Sequence, residues 1–259
     1  MDIKKISSVV FSPTESTKKT ASLIAGSVDL PVVCNDITLR PNEAEEHYFG
    51  SDECVIFAVP VYSGRVPFAA SERIKKFHGD GTPAIIAVTY GNRDYDDALL
   101  ELRNIAAANG FVPIAAAAVV TQHSIMRSVA VGRPDREDVK KIESFADAVF
   151  EKLKVISSPA ECKELVIKGN VPYKEYGSIP LKPASTKNCV KCGICAENCP
   201  VGAIPADSPS ETDKSLCISC MRCVKVCPYN ARELDVAVFA AAEKVFMQKN
   251  KVRKEPEFF

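Results

Sequence analysis

Apolar positions in the first 155 residues alternate between short β-branched runs and longer stretches of helical spacing. Ile3 to Phe11 predicts a buried first strand. The turn Ser12-Pro13-Thr14-Glu15-Ser16-Thr17 follows, and Lys18 to Val28 carries Ala21, Leu23, Ile24 and Ala25 at helical spacing. Val32 to Ile37 and Cys54 to Pro60 predict the second and third strands, with a helix from about Phe68 to Phe77. Ala84 to Thr89 predicts the fourth strand and is followed by a helix ending near Asn109. Val112 to Val120 predicts the fifth strand, and Pro134 to Lys154 a last amphipathic helix. Strands alternating with helices imply a parallel sheet covered on both faces. In such sheets ligands bind outside the carboxyl ends of the strands.

After this the pattern changes. Ser157 to Thr186 holds several prolines, Gly169 and Gly177, with little periodicity. Within it Lys163 to Ile167 suits an added edge strand, and Val171 to Tyr176 an extended connector packed along both flanking parts. Glu233 to Lys249 predicts a final helix, with Val236, Phe239, Ala240, Val245 and Phe246 available for docking. The division is an α/β domain over residues 1–156, a linker over 157–185, a cysteine-rich domain over 186–234, and a helix and tail over 235–259.

The cysteine-rich part carries the most specific chemistry. Cys189, Cys192, Cys195 and Cys199 precede Pro200, and Cys217, Cys220, Cys223 and Cys227 precede Pro228. Both runs read C-x2-C-x2-C-x3-C-P, the second displaced by 28 positions (189 to 217), with Ala203 and Ala231 at matching places. This is the ligand spacing of a two-cluster bacterial ferredoxin, in which each run's fourth cysteine ligates the other run's cluster. One 4Fe–4S cluster is therefore assigned to Cys189, Cys192, Cys195 and Cys227, and the other to Cys217, Cys220, Cys223 and Cys199. Pro200 and Pro228 lack an N–H and steer the chain toward the second site. Gly193 faces Met221 at the equivalent place of the repeat, an asymmetry that predicts unequal cluster environments. The absence of a secretory signal argues against a disulfide framework, and the third cysteine at the same step argues against structural zinc. Cys34 and Cys54 read as small buried hydrophobes, and Cys162 has no assigned role.

Charge adds exclusions. The 33 basic and 33 acidic residues balance, so no overall field draws nucleic acid or an anionic membrane. Lys249, Lys251, Arg253 and Lys254 read as a solvated helix end. The longest near-apolar run, Phe111 to Val120, is about half of a membrane span, so no membrane insertion and a cytoplasmic location are expected. The hydroxyl-rich turn after the first strand suits a phosphate site, with simple helix capping as the alternative.

Three loop motifs add a resemblance. Phe-Ser-Pro-Thr at the first loop, Pro-Val-Tyr-x-Gly-Arg-x-Pro at the second and Tyr-Gly-Asn-Arg-x-Tyr at the third are all present. With the cysteine repeat, the chain resembles over nearly its full length the flavodoxin–ferredoxin fusion proteins of anaerobic bacteria and archaea. The resemblance implies a flavodoxin-like, doubly wound five-stranded parallel sheet of order 2-1-3-4-5, then a small α+β two-cluster ferredoxin domain. It implies FMN, its phosphate on Ser12, Thr14, Ser16 and Thr17. The ring would lie between the loop of Pro60, Tyr62, Ser63 and Gly64 and that of Tyr90, Gly91, Asn92 and Tyr95. Tyr95 is the expected stacking ring and Tyr62 the second choice; Arg65 and Arg93 are candidates to contact phosphate or a partner. Glu15 stands where the family usually has Gly, which predicts repulsion from phosphate unless it turns outward or pairs with Lys18 or Lys19. His47, His78 and His123 read as surface residues, His123 being on the ligand-bearing edge.

The expected function is electron transfer between FMN and two 4Fe–4S clusters, serving donor and acceptor proteins that the sequence does not identify. Two alternatives remain open at this point: a flavin-dependent reductase of a small substrate fed by the clusters, and a ferredoxin whose flavodoxin-like domain has lost FMN.

Overall fold

The computed structural model describes residues 1–39, 45–177 and 179–259. In chain order the elements of the first part are β1 (Lys5–Val10), α1 (Ser16–Ala25), β2 (Val32–Asp36), β3 (His47–Phe49), β4 (Glu53–Pro60) and α2 (Phe68–Ile74). β5 (Phe77–Gly79), β6 (Thr82–Tyr90), α3 (Ala98–Ala108), β7 (Phe111–Val120) and α4 (Arg136–Val155) complete it. The cysteine-rich part contributes β8 (Ala184–Ser185), α5 (Ile194–Glu197), α6 (Arg222–Val226) and β9 (Arg232–Glu233). The chain closes with α7 (Val236–Lys249) and β10 (Glu257–Phe258).

The long strands alternate their side chains across the sheet. Val55, Phe57 and Val59 of β4 join one core with Leu99 and Leu102 of α3 and Ile74 of α2. Cys54, Ile56 and Ala58 join the other with Ile24 of α1 and Ile142, Val149 and Leu153 of α4. Burial on both faces is why these strands read as continuous apolar runs. Each fully buried Val or Ile contributes about 1.5–3 kcal/mol. The five long strands pair in parallel in the order β2-β1-β4-β6-β7, which is 2-1-3-4-5 among themselves. That is the flavodoxin-like doubly wound order, with its switch point between the first and third strands.

The tail adds a sixth strand. β10 pairs antiparallel with the outer edge of β7, Glu257 against Ala118 and Phe258 against Ala117. Lys163 to Ile167, expected to supply an edge strand, forms none; Ile167 packs instead on the core. Phe258 stacks on Phe145 of α4 at 4.7 Å, so the tail covers apolar surface as well as pairing its backbone. β3 and β5 form a separate parallel pair, where His47 stacks on Phe77 and His78 meets Glu46 at 2.7 Å. Cys54 is buried, whereas Cys34 on the edge strand β2 is exposed, against expectation: an edge strand with no helix over that position leaves its side chains in solvent.

The cysteine-rich part is a small α+β unit whose two short helices pack on each other and are flanked in sequence by the two strands of the β8–β9 pair. A third apolar cluster unites it with the loop after β7 and with α7, through Ile125, Met126, Leu181, Met221, Phe239 and Phe246. Of the residues expected to dock α7, Phe239 and Phe246 do so. Val236, Ala240 and Val245 are exposed, and Ala242 packs in their place, because the helix presents a different stripe. Among the described residues no helix is long and apolar enough to cross a membrane.

Candidate functional site

The loops after β1, β4, β6 and β7 converge at one end of the sheet, where the strands' carboxyl ends lie. They enclose a cavity of about 340 Å³, lined by Thr14, Ser16, Pro60, Tyr62, Ser63, Gly64, Tyr90, Gly91 and Arg93 among others. Its far wall comes from outside the α/β part: Gly177 and Ile179 of the linker, Ser219 of the cysteine-rich unit and Phe246 of α7. Ser219 is fully buried, and its hydroxyl has no partner among the described residues. A second cavity of about 650 Å³ shares Thr14, Ser16 and residues 122–125 with the first. Both lie in the size range of cofactor and ligand sites.

The first loop is built as an anion cradle. Ser12 and Thr17 hold it together: the Ser12 hydroxyl accepts from Lys18 N at 3.0 Å, and the Thr17 hydroxyl lies 2.7 Å from that of Thr89. Thr14 and Ser16 face the cavity instead. The N–H groups of Thr14, Ser16 and Thr17 donate to no described residue, and α1 begins without a side-chain cap. Free N–H groups at a helix start attract phosphate. Glu15 adopts φ 69°, the left-handed region that favours glycine. Its carboxylate turns outward to Arg222 at 3.3 Å, not to Lys18, which pairs with Asp36, nor to Lys19. Lys225 donates to Thr14 O at 2.7 Å and Arg222 to Pro13 O at 3.2 Å, so α6 grips the loop from the opposite side.

Two expectations for the ring loops fail. Tyr95 is 1 % exposed, its hydroxyl donates to Glu257 at 2.7 Å, and Lys168 Nζ sits 3.9 Å above its ring. It packs behind the cavity and does not line it, because the loop turns it into the core against Tyr90. Tyr62 does line the cavity, and burial holds its hydroxyl well above the ordinary value. Asn92 is diverted as well: its amide donates to Asn250 O and Val252 O, and its oxygen accepts from Lys254 N. Arg65 stays out of the cavity, forked onto Glu101 at 2.8 Å and stacked under Tyr173 and Tyr176. Arg93 reaches the cavity rim but pairs with Asp96. Gly91 admits no larger residue, since a Cβ there would lie 2.4 Å from the His123 ring.

His123 was expected on the surface and instead lines both cavities, stacked edge-on against Phe246 at 4.9 Å. Its Nδ1 accepts from Ile125 N and Met126 N at 3.1 and 3.0 Å, leaving Nε2 as the donor of a neutral ring. Burial pushes its pKa down to about 4. Only its position after the fifth strand hinted at this; Phe246, 123 residues later, was not a readable neighbour.

The eight repeat cysteines gather into two cavities. One is lined by Cys189, Cys192, Cys195 and Cys227, the other by Cys199, Cys217, Cys220 and Cys223. Gly193 (φ 83°) and Met221 (φ 63°) both take left-handed conformations before the short helices, so the asymmetry lies in the side chain, not the backbone. Matching N–H groups, of Ala203 and Ala231, donate to Cys199 and Cys227 sulfur at 3.2 Å. Burial pushes the Cys220 and Cys223 thiols up to about 12. Among the described residues no three Cys, His, Asp or Glu side chains converge tightly enough for a single metal ion. Four sulfurs spread around a cavity suit the corners of a cluster.

Residues 188–231 match the family described as a 4Fe-4S dicluster domain. Over 70 residues the chain is 40% identical to a ferredoxin of Alicyclobacillus acidocaldarius subsp. acidocaldarius, covering 87% of that protein and 26% of this chain. The chain belongs to the ferredoxins. Its ferredoxin domain is joined to a flavodoxin-like α/β domain, the latter identified by its strand order. Among solved structures, the Streptococcus pneumonia TIGR4 flavodoxin aligns with a TM-score of 0.39 at 16% identity, over 58% of this chain and 99% of that one. A short-chain flavodoxin associated with a PDU bacterial microcompartment gives 0.39 at 13%, over 59% and 99%.

Proposed function

We propose that this ferredoxin carries electrons between FMN, held in the 340 Å³ cavity, and two 4Fe–4S clusters held by the eight repeat cysteines. Flavin exchanges one or two electrons and each cluster exchanges one, which lets a single chain join a two-electron partner to a one-electron partner. The observation that carries the reading is the shared wall. Ser219, next to Cys220, lines the 340 Å³ cavity itself, and Met221 on the other side of Cys220 lines both the cavity of Cys199, Cys217, Cys220 and Cys223 and the adjoining 650 Å³ cleft.

Thr14, Ser16 and the loop N–H groups would hold phosphate, and Tyr62, Ser63, Gly64 and Gly91 would bracket the ring. The outward turn of Glu15 onto Arg222 lessens the repulsion expected at the loop, which disfavours a vestigial site. At the other end Cys192 is exposed, with Val190 and Tyr229 exposed beside it, offering a face to a one-electron partner protein.

Anaerobic purification with iron, sulfide and flavin measured against protein tests the reading. About eight irons and one FMN per chain are expected. Iron without flavin, even after FMN is added, would leave a ferredoxin with an unused α/β scaffold. The adjoining 650 Å³ cavity favours one second reading, a reductase of a small substrate; steady-state turnover that needs both flavin and an added substrate would select it.

A further inference from the structure

Two arginines among the described residues are buried, and they are satisfied differently. Arg133, 8 % exposed, forks onto the carboxylate of Asp138. Arg232, 3 % exposed, has no carboxylate partner among the described residues. Its guanidinium donates only to neutral oxygens, Thr212 Oγ1 at 2.6 Å, Glu211 O at 3.0 Å and Pro209 O, and its Nε donates to nothing described. Burying a cation without an opposing charge is costly, so buried charges are as a rule paired or set against a metal centre. Packing does not call for a cation at this place. The internal repeat puts Ile204 at the equivalent position, 28 residues earlier (232 to 204), and it is buried to the same degree.

Where Arg232 lies suggests its counter-charge. It lines the cavity of Cys189, Cys192, Cys195 and Cys227. It also adjoins the other cavity, since Thr212, which accepts from it at 2.6 Å, lines the site of Cys199, Cys217, Cys220 and Cys223. Lys182, by contrast, is not buried, and its ammonium donates to the Cys217 carbonyl.

We propose that Arg232 is the fixed counter-charge of both iron–sulfur clusters and raises their reduction potentials. The inference rests on the two-cluster reading above. A cluster held by thiolates is net negative and gains one further negative charge when it accepts an electron. A cation fixed nearby in a medium of low dielectric therefore stabilises the reduced form more than the oxidised one. No proton is taken up or released at Arg232, since a guanidinium stays charged throughout.

The test compares wild type, Arg232→Gln and Arg232→Lys as full-length chains, reconstituted anaerobically, with iron and sulfide measured before an EPR-monitored redox titration. Arg232→Gln is expected to keep its iron and to shift both midpoints negative, with Arg232→Lys staying near wild type. Loss of iron in Arg232→Gln alone, rescued in Arg232→Lys, also supports the proposal, because the charge is then what the clusters require. Unchanged midpoints in iron-replete Arg232→Gln overturn it. So does a shift, or a loss of iron, as large in Arg232→Lys as in Arg232→Gln, since the bonds to residues 209–212 and not the charge would then matter. A wild-type chain that takes up no iron overturns the two-cluster reading itself, which separates the two failures.

Discussion

At Glu15 one residue carries two conflicts, backbone and charge. A non-glycine side chain at φ 69° costs about 1 kcal/mol, and a carboxylate beside a phosphate site is repulsive. The half-exposed pair with Arg222 returns roughly 0–1 kcal/mol. Glu15→Gly should therefore leave stability unchanged or raise it by up to about 1 kcal/mol, and should tighten FMN binding about tenfold, or roughly 1.4 kcal/mol. Titration of flavin fluorescence measures the second effect, and an unchanged affinity would show that Arg222 already neutralises the carboxylate. The departure from glycine was legible in the sequence, but its partner was not, because Arg222 lies 207 residues away. Tyr95 and His123 exchanged their expected roles for a similar reason. A motif fixes which residues a loop carries, while packing against Tyr90, Lys168 and Phe246 decides which of them faces the cavity.

Among the elements, α7 and the tail depart most from expectation. The basic cluster at the helix end is not simply solvated: Arg253 pairs with Asp135 at 2.7 Å, and Lys254 lies 3.6 Å from Asp94. Asn92 fixes the chain between α7 and β10 with three hydrogen bonds. This clamp keeps Phe246 on the cavity wall. Asn92→Ala should cost about 2–3 kcal/mol of local stability, at about 1 kcal/mol per bond. Limited trypsin digestion should then cut between Lys249 and Lys254 many times faster, with the iron content unchanged. Equal cleavage rates would mean that the β10 pairing alone holds the tail. The core helices, by contrast, were readable to within a few residues, since their apolar spacing is dictated by the sheet faces they cover. α4 also carries a capping box, Asp135 with Asp138, in the sequence where the helix begins.

For the whole molecule the question is how firmly the two halves are joined. α6 ties to the phosphate loop through Arg222 and Lys225, and the linker ties to the α/β domain where Asn170 and Lys174 donate to Asp97 and Tyr176 donates to Val66 O. Arg222→Ala with Lys225→Ala should weaken the junction by about 2 kcal/mol. Calorimetry should then resolve two thermal transitions where wild type shows one, with iron unchanged. A single transition at the wild-type temperature would show that the apolar cluster around Met221 suffices. Sequence periodicity alone determined the alternation of strands with helices and the grouping of eight cysteines into two repeats, because both follow from patterns of a few residues imposed by strands, helices and tight turns, whereas the strand order was implied by the resemblance to the flavodoxin–ferredoxin fusion proteins. Tertiary structure alone decided that the tail returns as a sixth strand, that Tyr62 and His123 rather than Tyr95 face the cavity, and that Arg232, with no carboxylate partner among the described residues, is buried beside the cysteine sites. These outcomes depend on contacts between residues far apart in sequence, whose pairing no local pattern of hydrophobicity encodes.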